Sequence, residues 1–91
     1  MEFAWDREKA NANFVKHGVS FEEAEWAFQD AHAVELFDEL NSNEELRYQI
    51  IALSPRRLLF VAFTLNEATI RIISARKANA RQVKIYHEYN R

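Results

Sequence analysis

The sequence predicts an α+β domain with one mainly antiparallel sheet, in the order β-α-α-β-β-β-β-α, and three observations carry that expectation. Two helical patterns stand near the start, separated by the only glycine in the chain, Gly18. Three apolar runs of strand length follow, RYQIIAL, LLFVAFT and TIRIISAR, joined by connections as short as SPRR and LNEA, so they can pair as a meander. The chain closes on a basic, amphipathic pattern, NARQVKIYHEYNR, that suits a helix lying on a sheet.

Each element has a local reason. Residues 2–5, EFAW, alternate as a short strand does. Asp6 can cap a helix over residues 7–17, whose Ala10, Phe14 and His17 fall on one side at helical spacing. Gly18 then suits the C′ position, where a residue at positive φ ends a helix and a Cβ would be strained. Ser20-Phe21-Glu22-Glu23 has capping-box spacing and opens a second helix, about 21–29, with Phe21, Ala24 and Phe28 on one face. Trp26 falls among polar positions and is expected to be buried against a second layer, or else to anchor a partner.

After Asp30 the segment AVELF reads as a strand and DELNSNEE as an acidic loop. LLFVAFT is apolar on both alternations, as a central strand covered on both faces would be. Strict alternation puts Ile70, Ile72, Ser74 and Arg76 on one face of the next strand, and Arg71, Ile73, Ala75 and Lys77 on the other. Asn79 and Gln82 stand at capping-box spacing before the last helix, where Val83, Tyr86 and Tyr89 can face the sheet while Arg81, Lys84 and Glu88 face water.

Composition narrows the chemistry. Ninety-one residues, 48% of them hydrophobic, suit one domain spanning 1–91. The chain has no cysteine, and His17, His32 and His87 lack metal-site spacing, so no metal is expected. One glycine leaves no phosphate-binding loop, and Ser74 has no glycine-flanked elbow around it. The N-terminus lacks the basic and apolar regions of a signal peptide, and no apolar run reaches membrane-spanning length. A soluble, cytoplasmic protein without a membrane partner is the expectation. Charge is strongly divided: residues 1–46 carry three basic side chains against twelve acidic, residues 47–91 nine against two. Such asymmetry suits a polyanion on one side and a basic partner on the other, or simple cancellation between packed halves.

The cations that remain lie on the sheet and the last helix: Arg47, Arg71, Arg76, Lys77, Arg81 and Lys84. Arginines in fixed geometry suit bidentate phosphate contacts. By default, though, each is a solvated or ion-paired surface residue, and His17 a helix-terminal one favoured by the helix dipole.

The motifs W-D-x-x-K, N-x-x-KHGVSFEEA, R-Y at the second hairpin strand, and RIISARKA before a basic helix occur in order along nearly the whole chain. In these the sequence resembles the BrnT family of bacterial toxins. The resemblance implies a RelE-like fold, a ribonuclease that halts translation, and a BrnA-like antitoxin whose ribbon-helix-helix region takes the complex to operator DNA. Lys16, His17, Arg47, Arg71, Arg76 and Lys77 fall on polar positions of the matching motifs. The sequence departs from the pattern at Ala52, where glycine is common, at Leu46, which separates Glu45 from Arg47, and at Gln82, where glutamate is frequent.

RNA can be cut without metal or cofactor when its 2′-hydroxyl attacks the adjacent phosphate, which needs a base, an acid and cations on the developing charge. The expected roles are Arg76 and Arg47 at the phosphate, His17 or Glu45 in proton transfer, and Lys16, Arg71, Lys77, Arg81 and Lys84 along the RNA. Three other readings fit the same residues: a non-enzymatic interaction module or co-repressor, a RelE-like toxin of a protein target such as gyrase, and a domain whose charges only balance each other.

Overall fold

The computed structural model describes residues 1–42 and 45–91. Its elements follow the expected order: β1 (Glu2–Ala4), α1 (Arg7–His17), α2 (Phe21–Ala27), β2 (Val34–Phe37), β3 (Arg47–Leu53), β4 (Leu58–Asn66), β5 (Thr69–Lys77) and α3 (Ala80–Tyr89). A single 3-10 turn, Glu39–Asn41, occupies part of the acidic loop, and Asn43 and Glu44 of that loop lie outside the described residues.

The helix boundaries are set by the caps. Asp6 accepts the Lys9 amide at 3.0 Å and Ser20 that of Glu23 at 3.0 Å. Gly18 sits at φ 69° and closes α1 by donating its N–H to Phe14. Asn79 and Gln82 complete a reciprocal capping box at the start of α3, at 2.9 and 3.0 Å.

The sheet order is β1-β5-β4-β3-β2, with β3, β4 and β5 forming the antiparallel meander and β1 adding in parallel at the β5 edge. β4 is therefore the middle strand, which is why both of its alternations are apolar. Val61 and Phe63 point into the core beneath α1 and α2, whereas Leu58 and Phe60 pack on the side of α3. Tyr48 stacks against Phe63 with centroids 5.7 Å apart, so its neighbour Arg47 is turned to the α3 side.

Three expectations are corrected. The largest concerns β5: Ala62 pairs with Ser74 but Phe63 pairs with Ile72, leaving Ile73 as an extra residue in a bulge. The bulge resets the alternation. Ser74 and Arg76 share the α3 side with Arg71, while Ile70 and Ile72 face the core beneath α1 and α2 with Ala75.

The second concerns α1. Phe14 is 57% exposed, and the position the helix buries is Asn13. Its amide donates to the carbonyls of Val19 (2.9 Å) and Ala75 (2.8 Å) and accepts the Ala75 N–H (3.0 Å), tying α1 to β5. A buried amide with these bonds made is as well suited to the interface as a hydrophobe and more specific in register. The third concerns aromatic burial: Trp26 is 63% exposed and Tyr89 73% exposed, and Tyr86 with Val83 makes the α3 contact. No helix among the described residues is long and apolar enough to cross a membrane.

Candidate functional site

The α3 helix covers only one end of its sheet face. It starts just after β5, where the Ala78 N–H reaches the Leu58 carbonyl at 3.0 Å, and it ends over the start of β2, where Asn90 donates to the His32 carbonyl at 3.0 Å. Midway, the Tyr86 hydroxyl donates to Asp30 at 2.7 Å, and the same carboxylate oxygen accepts the Leu53 N–H at 2.8 Å. Burial pushes the Tyr86 hydroxyl up to about 12, with Asp30 adding to the shift. These anchors all lie at the Leu53, Leu58 and Ala78 end of the strands. At the opposite end two cross-strand rows are left without a helix above them: Gln49, Ala62 and Ser74, then Arg47, Thr64 and Arg71.

The bulge at Ile73 makes this surface cationic, since it places Arg71 and Arg76 on the same side as Arg47. Arg76 stands in the row bordering α3, its guanidinium carbon 4.8 Å from the Phe60 ring centroid. Arg47 is half-buried with its backbone fixed: its N–H donates to the Ser42 hydroxyl at 2.9 Å and its carbonyl accepts the Asp38 N–H at 2.9 Å. Two buried side-chain polar atoms among the described residues have no hydrogen-bond partner, and they are cross-strand neighbours here, Arg47 Nε and Thr64 Oγ1. The ion pairs among the described residues are Arg57–Glu23 and Lys84–Glu88, and neither involves the three arginines. Arg71 is exposed and lines an open cleft of about 530 Å³ with Glu45, Thr64, Asn66, Glu67 and Thr69. Arg47, Glu45, Arg71 and Arg76 are thus gathered on one surface.

The other expected site residues are elsewhere. Lys16 and His17 end α1, which packs on the opposite face of the sheet. Lys77 pairs with Leu59 and shares that face. Arg81 and Lys84 are exposed on α3, with Lys84 3.9 Å from Glu88.

The KHGVSFEEA segment does structural work. Glu23 receives both the Nε and Nη2 of Arg57, at 2.9 and 2.8 Å, while Arg57 Nη2 also donates to the Gly18 carbonyl at 3.0 Å and Ser54 donates to Glu23 at 2.8 Å. The Arg57 hydrogen bonds hold the Glu23 carboxyl below the usual glutamate range and outweigh its burial. This pins the α1–α2 junction to the β3–β4 turn.

Thr64, Gln49 and Phe60 belong to the surface but had no motif to mark them, and Ser74, inside RIISARKA, had no role assigned to it; their membership follows from cross-strand register, which in β5 the bulge hides from simple alternation. A larger cleft of about 850 Å³ lies between α1 and α2 beside Phe14 and Val15, away from the three arginines. Among the described residues no group of three or more His, Cys, Asp or Glu side chains is placed to hold a metal ion.

Over residues 5–82 the chain matches the family model described as the ribonuclease toxin, BrnT, of a type II toxin-antitoxin system. No curated protein matches it.

Proposed function

We propose, since this chain belongs to the BrnT family of ribonuclease toxins from type II toxin-antitoxin systems, that it cuts RNA on the open half of the α3-side sheet face. The observation that carries this is the bulge at Ile73, which gathers Arg47, Arg71 and Arg76 on one side of the sheet with no described carboxylate paired to them. Bulges commonly re-aim side chains beside active sites. The Arg76 row and the row shared by Arg47 and Arg71 are four positions apart on β4, roughly 13 Å at strand rise, a gap that two extended arginine side chains can close onto one phosphate.

In this reading Arg76 and Arg47 hold the scissile phosphate, and the phosphate oxygens supply the acceptor that Arg47 Nε lacks. The 2′-oxygen attacks phosphorus as its proton passes to a base, the bond to the 5′-oxygen breaks, and the 5′-oxygen takes up a proton. We assign proton transfer to Glu45, which lines the cleft beside Arg71, whereas His17 ends α1 on the other side of the sheet. Arg71 and, from α3, Arg81 and Lys84 extend the RNA contact. No metal is required, because the guanidiniums supply the charge. We read the fold as RelE-like and the toxin as cytoplasmic, held by a BrnA-like antitoxin that brings the pair to operator DNA.

The test is inducible expression of the wild type and Arg76→Ala in a bacterium without the antitoxin, following growth and RNA integrity together. Growth arrest with RNA fragmentation, lost in a folded Arg76→Ala protein and insensitive to chelator in vitro, is the expected result. Arrest with intact RNA and DNA-damage signalling would replace the RNA target by a protein one.

A further inference from the structure

The cleft at the Arg71 end carries more than a backbone contact needs. It is lined by the donors of Arg71, Thr64 and Thr69, the amide of Asn66, and the carboxylates of Glu45 and Glu67. Its volume, about 530 Å³, lies within the range of small-ligand pockets, about 300–1,000 Å³. Two carboxylates repel a phosphate, so a bare phosphate subsite fits this lining poorly. A group that presents donors and acceptors side by side fits it well.

Thr64 supplies an independent sign that a ligand belongs here. The residue is 3% exposed and its hydroxyl has no hydrogen-bond partner. A buried hydroxyl left without a partner is costly unless something completes it. Glu67 is also held in an uncommon state, at φ 56° in the two-residue turn between Asn66 and Thr69, where glycine or asparagine would be at ease. The turn presents a carboxylate to the cleft instead.

We propose that this cleft is a nucleobase subsite that selects guanine beside the cleavage position. The proposal rests on the ribonuclease reading of the adjoining arginines. Guanine offers two adjacent acceptors, O6 and N7, to a guanidinium, and two adjacent donors, N1–H and the N2 amino group, to a carboxylate. Arg71 takes the first edge and Glu67 the second, since Glu45 serves proton transfer, and the Thr64 hydroxyl bonds the base or its ribose. Adenine and uracil offer neither charged group a paired contact, and cytosine leaves the carboxylate with a single donor group. An unstacked base in a single strand exposes both edges for such readout.

Binding is tested without cleavage. The four nucleoside 5′-monophosphates, which share one phosphate, are titrated into the labelled protein while amide shifts are followed by NMR. Guanosine monophosphate binds about tenfold more tightly than the others, with shifts centred on Thr64, Asn66, Glu67 and Thr69. Thr64→Val and Glu67→Gln each reduce that preference about fivefold, close to one hydrogen bond. Equal affinities, shifts centred elsewhere, or a preference unchanged in both variants overturn the proposal. Mapping RNA ends from wild-type cleavage gives the second readout, guanine enriched at one fixed offset from the cut. Base-selective binding without cleavage keeps the subsite and refutes the ribonuclease reading, whereas cleavage with no base preference does the reverse.

Discussion

Arg71 and Arg76 are five positions apart on β5, a spacing that sends them to opposite faces of a regular strand, yet both face the α3 side. Ile73 is the reason: it adds one residue to β5 opposite an unbroken β4, so the pairing passes from Ala62–Ser74 directly to Phe63–Ile72. One inserted residue converts two separated cations into a surface shared with Arg47.

If that surface holds the scissile phosphate, Arg76→Ala lowers RNA cleavage by about 10²- to 10³-fold, the usual loss when a group stabilising transition-state charge is removed. Arg76→Lys recovers little, because an ammonium cannot form the bidentate contact. The stability cost of Arg76→Ala is about 0.5–1 kcal/mol, limited to its contact with the Phe60 ring. Cleavage assays and urea midpoints on the same preparations separate the two effects.

Asn13→Ala is expected to destabilise far more than its size suggests. It leaves the Ala75 N–H and the Val19 and Ala75 carbonyls short of partners in a buried interface, a loss of roughly 2–4 kcal/mol. At about 4–8 °C per kcal/mol, Tm falls by ~10 °C or more. Phe14→Ser on the exposed side of the same helix costs under about 1 kcal/mol. Similar losses for the two substitutions would show that Asn13 does not clamp α1 to β5.

The contrast between Asn13 and Phe14 shows what a single sequence conveys here. Asp6, Gly18, Ser20 and Asn79 were legible because capping is decided within three or four residues, and strand lengths because the apolar runs were continuous. Periodicity favoured Phe14 over Asn13 since it weighs hydrophobicity, and a buried amide satisfied by a strand 62 positions away leaves no local trace. The Glu23–Arg57 pair, 34 positions apart, is hidden for the same reason. The site was half legible. Arg47, Arg71 and Arg76 could be named from residue type and motif, but their common face depended on the bulge, and Thr64 on its cross-strand partner.

Stability should fall at both ends of the pH scale for identifiable reasons. Burial alone would raise the Asp30 carboxyl, but hydrogen bonds from Leu53, Tyr86 and His32 hold it below 3.8, and Arg57 holds Glu23 below 4.5. Depressed carboxyls stabilise the fold above their unfolded values, and that contribution drains away as pH falls through the folded ones. Tyr86 has the opposite sign. Raised from 10.0 to about 12, it keeps its proton in the fold after the unfolded chain has lost it, so stability declines between about pH 10 and pH 12. Urea midpoints across pH should show Glu23→Gln with a shallower acid limb and Tyr86→Phe with a shallower alkaline one; unchanged slopes would remove these groups from the pH response.

The arginine surface should also govern how the toxin is silenced. An acidic antitoxin segment lying on Arg47, Arg71 and Arg76 would compete directly with RNA, and attraction between exposed charges is screened by salt. Toxin-antitoxin affinity then weakens as ionic strength rises, and Arg71→Ala weakens antitoxin and RNA binding together. Trp26→Ala provides the contrast, because that side chain is 63% exposed on α2, away from the three arginines. Titrations at two salt concentrations distinguish the cases. Salt-dependent binding lost in Arg71→Ala places the antitoxin on the RNA surface, whereas salt-insensitive binding lost in Trp26→Ala moves it to the helical face and makes inhibition indirect.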